Sequence, residues 1–251
     1  MRNFFVMSKL CCWGLAALLA TPSVNAATAP RPIVKVGYYE IPPHSYTDKN
    51  GRAQGRIIEL TQRVLEQAGY QAQIRAYPSA RLYNGLRNGS VQLWPGAAGK
   101  VELAEHTLES RNTLGEISLN LYYRPDTLTP RFPDSLRHRS LIMLNGYTYS
   151  GRIHELLADP NMAIEQHRTT THAAALEMLL RYRGDFLLDY HIPHQQASKI
   201  LGVPELPFIQ LERIPVRFIF SKHDANAERL RNAMDRAYEQ LRAQGVDVRV
   251  P

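Results

Sequence analysis

Residues 57–96 read IIELTQRVLEQAGYQAQIRAYPSARLYNGLRNGSVQLWPG, and the fold turns on how this stretch is read. Ile57, Leu60, Val64, Leu65 and Ala68 recur at steps of three and four, which predicts an amphipathic helix. Gly69 then stands where a left-handed C-terminal cap belongs. Gln71 to Tyr77 predicts a strand, Pro78-Ser79 opens a short helix to about Arg87, and Asn88-Gly89 ends it before a buried strand, Val91-Gln92-Leu93-Trp94. Upstream, Ile33-Val34-Lys35-Val36-Gly37-Tyr38 is a β-branched strand. A loop, 39–55, follows it, its turns marked by prolines and by Asp48-Lys49-Asn50-Gly51. The order is β-α-β-α-β. Such alternation implies a parallel sheet with helices on its faces, and ligands bind such sheets beyond the carboxyl ends of the strands. The loops after Tyr38, Tyr77 and Trp94 are therefore where a site belongs.

Downstream, a polar segment from Gly99 to Arg111 leads to a strand, Glu116 to Tyr123, and then to a Pro-rich stretch through Arg124-Pro125-Asp126, Pro130 and Pro133 that reads as a domain crossing. A second α/β cycle follows. Ser140 to Leu144 is a strand, and Gly146 to Ser150 leads into a helix that ends before Asp159-Pro160. Ala163 to His167 is a strand, and Thr171 to Arg181 is a helix with Ala174, Ala175, Met178 and Leu179 on one face. Asp185 to Asp189 is a strand and Pro193 to Leu201 is helical. Val216 to Ser221 is the last strand. Leu230, Ala233, Met234, Ala237, Tyr238 and Leu241 mark a final amphipathic helix that Gly245 closes.

The first 26 residues read as an export signal: Arg2 and Lys9, an apolar run from Leu10 to Ala20, and Val24-Asn25-Ala26 as the cleavage site. The run is shorter than the roughly 20 residues a membrane span needs. Cys11 and Cys12 are the only cysteines, and they precede most of the apolar run, which argues against a lipid anchor. The remaining chain, about 225 residues, is long enough for a sizeable core without disulfides. The formal charge of +7 falls to +5 when Arg2 and Lys9 leave. Its arginines are scattered, as at Arg52, Arg63, Arg75 and Arg87, which excludes the dense basic block of a nucleic-acid or polybasic membrane binder. No G-x-S-x-G, phosphate-binding loop or H-E-x-x-H occurs, so no catalytic residue and no metal ligand is assigned. His191 and His194 flank Pro193 and lack the one-face spacing of a zinc helix.

The element order and four stretches resemble the bacterial family 3 extracellular solute-binding proteins: Val36 to Tyr46 with Asp48 to Gly51 and Gly55; Tyr77 to Gly96; Arg183 to Tyr190; and Ser221-Lys222-His223-Asp224 through Gly245. The resemblance spans nearly the whole chain after residue 26. It implies an α/β, two-lobe periplasmic binding protein fold of type II with a two-stranded hinge. Signal peptide 1–26 would be followed by lobe 1 over 27–124 and 214–251, the latter carrying the C-terminal helix, and by an inserted lobe 2 over 125–213. The hinge strands would pass near Tyr122 to Arg124 and Arg213 to Val216. The family likeness also implies a periplasmic monomer without cofactor or nucleic-acid partner. It would capture a small polar ligand, an amino acid or a related organic acid or amine, for an inner-membrane permease of an ABC transporter or for a separate sensor. A dehydratase-like enzyme on the same fold is the remaining alternative.

Carried over residue by residue, Tyr39 and Tyr46 are the aromatic covers of the first cleft loop. Trp94 either stacks on the ligand or fills the core, and Gly96 lets backbone approach the ligand closely. Amino-acid binders of the family place an arginine shortly afterwards, but this chain reads Gly99-Lys100-Val101-Glu102-Leu103. Lys100 or Arg81 is left to supply the cation, without the bidentate geometry of a guanidinium in the family's position. In lobe 2, Tyr147, Thr148 and Tyr149 line a turn that offers N–H donors, and Asp189 is placed to meet a ligand amino group.

Overall fold

The computed structural model describes residues 1, 30–145, 147 and 149–250. The signal-peptide assignment and Thr148 lie outside them. The chain divides into Met1–Pro30 and a compact unit, Arg31–Pro251, to which the following description refers. In chain order its elements are β1 (Ile33–Tyr38), β2 (Tyr46–Thr47), β3 (Ala53–Gln54), α1 (Arg56–Gln67), β4 (Gln71–Ala76), α2 (Ser79–Asn88), β5 (Leu93–Ala97), β6 (Thr107–Glu109) and β7 (Gly115–Tyr122). They continue as β8 (Ser140–Leu144), α3 (Gly151–Ala158), β9 (Glu165–Thr169), α4 (His172–Leu180), β10 (Phe186–Tyr190), α5 (His191–Leu201), β11 (Phe208–Ser221) and α6 (Ala227–Ala243).

The strands form a mixed sheet in the order β4-β1-β5-β11-β7-β10-β8-β9, with β6 beside the end of β11. At one end β1 runs parallel to β4 and β5; at the other β8 runs parallel to β9 and β10. Each parallel end has its own core. In lobe 1, Val34, Val36 and Phe220 of the sheet pack against Ile58 and Val64 of α1 and Met234 of α6. In lobe 2, Ile142, Leu144 and Leu187 pack against Ala175, Leu176 and Leu179 of α4. These helices are held by packing of one apolar face more than by intrinsic propensity, as amphipathic helices of this length are.

The two ends are joined by β7 and β11. β11 pairs with β7 from Phe208 to Val216 and with β5 from Val216 to Phe220. β7 takes β10 as its other neighbour from Leu119 onward. Residues 116–118 and 213–215 thus pair across the two strands, Glu116 with Pro215, Ile117 with Ile214 and Ser118 with Arg213, and form the two-stranded link. It lies ahead of the Tyr122 to Arg124 stretch expected from sequence, because Leu119 to Tyr122 is already committed to β10.

Lobe 2 offers a direct check on helix capping. The Thr171 side chain accepts the Ala174 N–H at 3.1 Å at the start of α4. Thr171→Ala is expected to cost about 1 kcal/mol, read as a lower urea midpoint at unchanged slope; an unchanged midpoint would contradict the cap.

Candidate functional site

A cavity of about 300 Å³ lies between the lobes, and the rings of Tyr39, Tyr83, Trp94, Tyr147 and Tyr190 form part of a mostly apolar wall. Tyr39 leaves the carboxyl end of β1, and its ring centroid lies 5.2 Å from that of Trp94, 6.1 Å from Tyr83 and 6.2 Å from Tyr147. The last of these contacts joins the two lobes. The Ser45 hydroxyl donates to the Tyr39 carbonyl at 2.7 Å and so folds the loop beneath it. The Tyr39 hydroxyl is buried beside Tyr83. Burial, and then the neighbouring Tyr83, push its pKa well up, so it stays a neutral O–H.

The floor is the carboxyl half of β5. Trp94 is buried and packs on Tyr83 at 5.5 Å. Side chains two apart on a strand share a face, so the indole folds over Gly96: a Cβ placed there would lie 1.9 Å from Trp94 Cε2. Glycine at 96 is therefore a requirement of packing. Beyond it, Lys100 is only 7 % exposed. Its Nζ donates to the Tyr190 hydroxyl at 3.1 Å and sits 5.7 Å from that ring's centroid. Burial lowers its pKa to about 8 against the opposing pull of Glu102 and Glu212. Near neutrality it remains a cation in an apolar wall.

Lobe 2 closes the cavity with Tyr147 and Tyr190, whose centroids are 5.9 Å apart. Asp189, next in the strand to Tyr190, points to the opposite face, as strand alternation requires. It is 1 % exposed and lies 2.8 and 3.0 Å, through Oδ1 and Oδ2, from His172 Nδ1. Its Oδ1 also accepts the Tyr190 N–H at 2.8 Å. Burial raises the Asp189 pKa, and the His172 bond opposes that shift. The other ring nitrogen of His172, Nε2, lies 3.0 Å from the Tyr147 hydroxyl, so the imidazole bridges the carboxyl group and the phenol. Asp189 thereby orients Tyr147 through His172.

Of the residues named from sequence, the structure brings Tyr39, Trp94, Gly96, Lys100 and Tyr147 together around the cavity. Tyr46 instead pairs with Gln54 in the small β2–β3 ribbon, and Arg81 is exposed on α2. Tyr149 lies behind Tyr190, 6.5 Å between centroids, and Asp189 lies beneath the wall, with Tyr190 as the lining residue of that strand. Tyr83, Tyr190 and His172 were not picked out by sequence reading. For Tyr83 the signal was present, since Leu82, Tyr83 and Leu86 form the buried face of α2. Among the described residues no cluster of His, Cys, Asp or Glu is placed to hold a metal, and no helix is long and apolar enough to cross a membrane.

Residues 34–246 match the family model of the bacterial extracellular solute-binding proteins, family 3. No curated protein sequence matches the chain. Among solved structures, a histidine kinase sensor domain with similarity to periplasmic binding proteins superposes with a TM-score of 0.71 at 21 % identity, covering 86 % of this chain and 92 % of that one. Holo ArgBP from T. maritima gives 0.65 at 16 % identity, over 84 % and 90 % of the two chains. An ancestral amino acid-binding protein, a precursor of cyclohexadienyl dehydratase, gives 0.65 at 15 %, over 86 % and 92 %.

Proposed function

Since the chain belongs to family 3 of the bacterial extracellular solute-binding proteins, we propose that it captures one small ligand between its lobes, in the periplasm, and holds it by closure without converting it. One observation carries this reading: Tyr39 and Trp94 from lobe 1 face Tyr147 and Tyr190 from lobe 2 across one cavity that also holds a buried lysine. A ligand touching both walls binds the closed arrangement better than any open one, and that difference in affinity drives closure about the link at 116–118 and 213–215. Lobe 1 is taken as the chain up to the first of these segments together with everything after the second, and lobe 2 as what lies between. Delivery to the permease of an ABC transporter is the role this implies. A sensing role beside a separate membrane partner is the second reading, favoured by the likeness to a histidine kinase sensor domain. Cross-linking the loaded protein in membranes separates the two by whether a permease or a kinase is captured.

Thermal unfolding of the purified protein against a panel of amino acids, organic acids, amines and sugars tests capture itself. A ligand at a hundred times its dissociation constant adds about 2.7 kcal/mol, a shift of several degrees. Tyr39→Ala is expected to lose that shift while unfolding cooperatively. Silence across the panel would contradict ligand capture; an undiminished shift in the variant would remove Tyr39 from the site.

A further inference from the structure

We infer that the cleft takes a small aromatic carboxylate without an ammonium group, a narrowing that rests on the reading of the cleft as a ligand site. The walls are flat rings at contact distance from one another, Tyr39, Tyr83 and Trp94 on one side and Tyr147 and Tyr190 on the other. They suit a planar apolar body, because offset and tilted ring contacts are favourable beyond their area alone. A volume of about 300 Å³ admits one substituted ring and stands at the small end of ligand cavities.

The polar groups on this wall favour an anion. Lys100 is its ammonium, and the Tyr39 hydroxyl, buried beside Tyr83, is a neutral O–H donor on the same wall. For a ligand ammonium the described residues offer little. Asp189 is turned away from the cavity and held by His172. Glu116, at the cavity's hinge edge, is 58 % exposed in its side chain and lies 3.9 Å from Arg213. Glu212 acts on Lys100 and accepts the Ser150 hydroxyl. A ligand ammonium would lose its hydration beside Lys100 with no carboxylate of its own, a cost that a carboxylate avoids.

Three probes with one ring separate the cases: phenylacetate, phenylalanine and phenethylamine, titrated calorimetrically into the purified protein. Phenylacetate is expected to bind, phenylalanine at least about tenfold more weakly, and phenethylamine not at all. Lys100→Met should abolish phenylacetate binding and Lys100→Arg retain part of it. In the unmodified protein, affinity should fall about tenfold from pH 7 to 9 as Lys100, faced by Glu102, Glu212 and the Tyr190 hydroxyl, loses its proton near its pKa of about 8. Phenylalanine binding as well as or better than phenylacetate would overturn the inference, as would binding of phenethylamine. Silence toward phenylacetate would overturn it too, and would leave ligand capture standing if another member of the wider panel shifts the melting temperature.

Discussion

Gly96→Ala is expected to lower the unfolding free energy by about 3 kcal/mol and to abolish ligand binding at the same time. The new Cβ would lie 1.9 Å from Trp94 Cε2, 2.1 Å from Cζ2 and 2.5 Å from Nε1, inside any tolerable contact. The backbone of β5 is held on both sides, by β1 and by β11, so the indole must move instead. Leaving its place means leaving Tyr39 and Tyr83, which takes the lobe 1 wall apart. Because the clash is between two side chains, it is relieved by removing either one. The double variant Trp94→Leu with Gly96→Ala should therefore be more stable than the sum of the two single changes predicts, a coupling that denaturation of the four proteins measures directly. Strict additivity would mean that the indole does not occupy the space over Gly96.

Acidification from pH 7 to 4 is expected to remove about 3 kcal/mol through one residue, His194. Its ring stacks on Tyr122 at 3.5 Å between centroids and 14° between planes, it is 1 % exposed, and neither ring nitrogen has a hydrogen-bond partner among the described residues. Burial lowers its pKa to about 4, with His191 and His172 adding to the shift. In the unfolded chain a histidine takes its proton near pH 6.5. Between the two values the unfolded state binds more protons than the folded one, so stability is full above about 6.5 and is lost as pH falls toward 4. His194→Phe keeps the stacked ring and removes both the titration and two unpaired buried nitrogens. The variant should lose about 3 kcal/mol less than the parent over this range. Parallel stability curves would show that His194 is not buried neutral.

Some segments of the fold follow from local signals and others only from pairing with distant strands. The first α/β cycle was legible almost to the residue: β1 is the predicted 33–38, and α1 ends at Gln67, just before Gly69. β5 was displaced, predicted at 91–94 and found at Leu93–Ala97, because Pro95-Gly96 reads as a turn. In the sheet Pro95 sits opposite Phe218 and continues the strand. Of the first half of β11, only the hinge stretch from Arg213 was anticipated, for a similar reason. Pro207 and Pro215 bracket it, and its partner, β7, lies far away in the chain, so no local signal marks the pairing. β6 is three residues long and exists only by pairing with the end of β11.

The site shows the same limit. Tyr39, Trp94, Gly96, Lys100 and Tyr147 were accessible because the sequence places each at or just beyond the carboxyl end of a strand, where α/β sheets keep their ligands. The faces of Asp189 and Tyr190 were not, since one residue of register on a strand decides which of two neighbours meets the cavity. His172 gave no sign of its role in sequence: it joins Asp189 to Tyr147 only because α4 packs behind β10.

The most direct test of the central claim is a titration of the compound that gives the largest thermal shift into the parent protein, Tyr39→Ala and Tyr147→Ala. A ligand held between the lobes loses affinity from either side, and both variants are expected to bind at least about tenfold more weakly while unfolding cooperatively. Unchanged affinity in both would mean that the ligand is not taken up between the lobes.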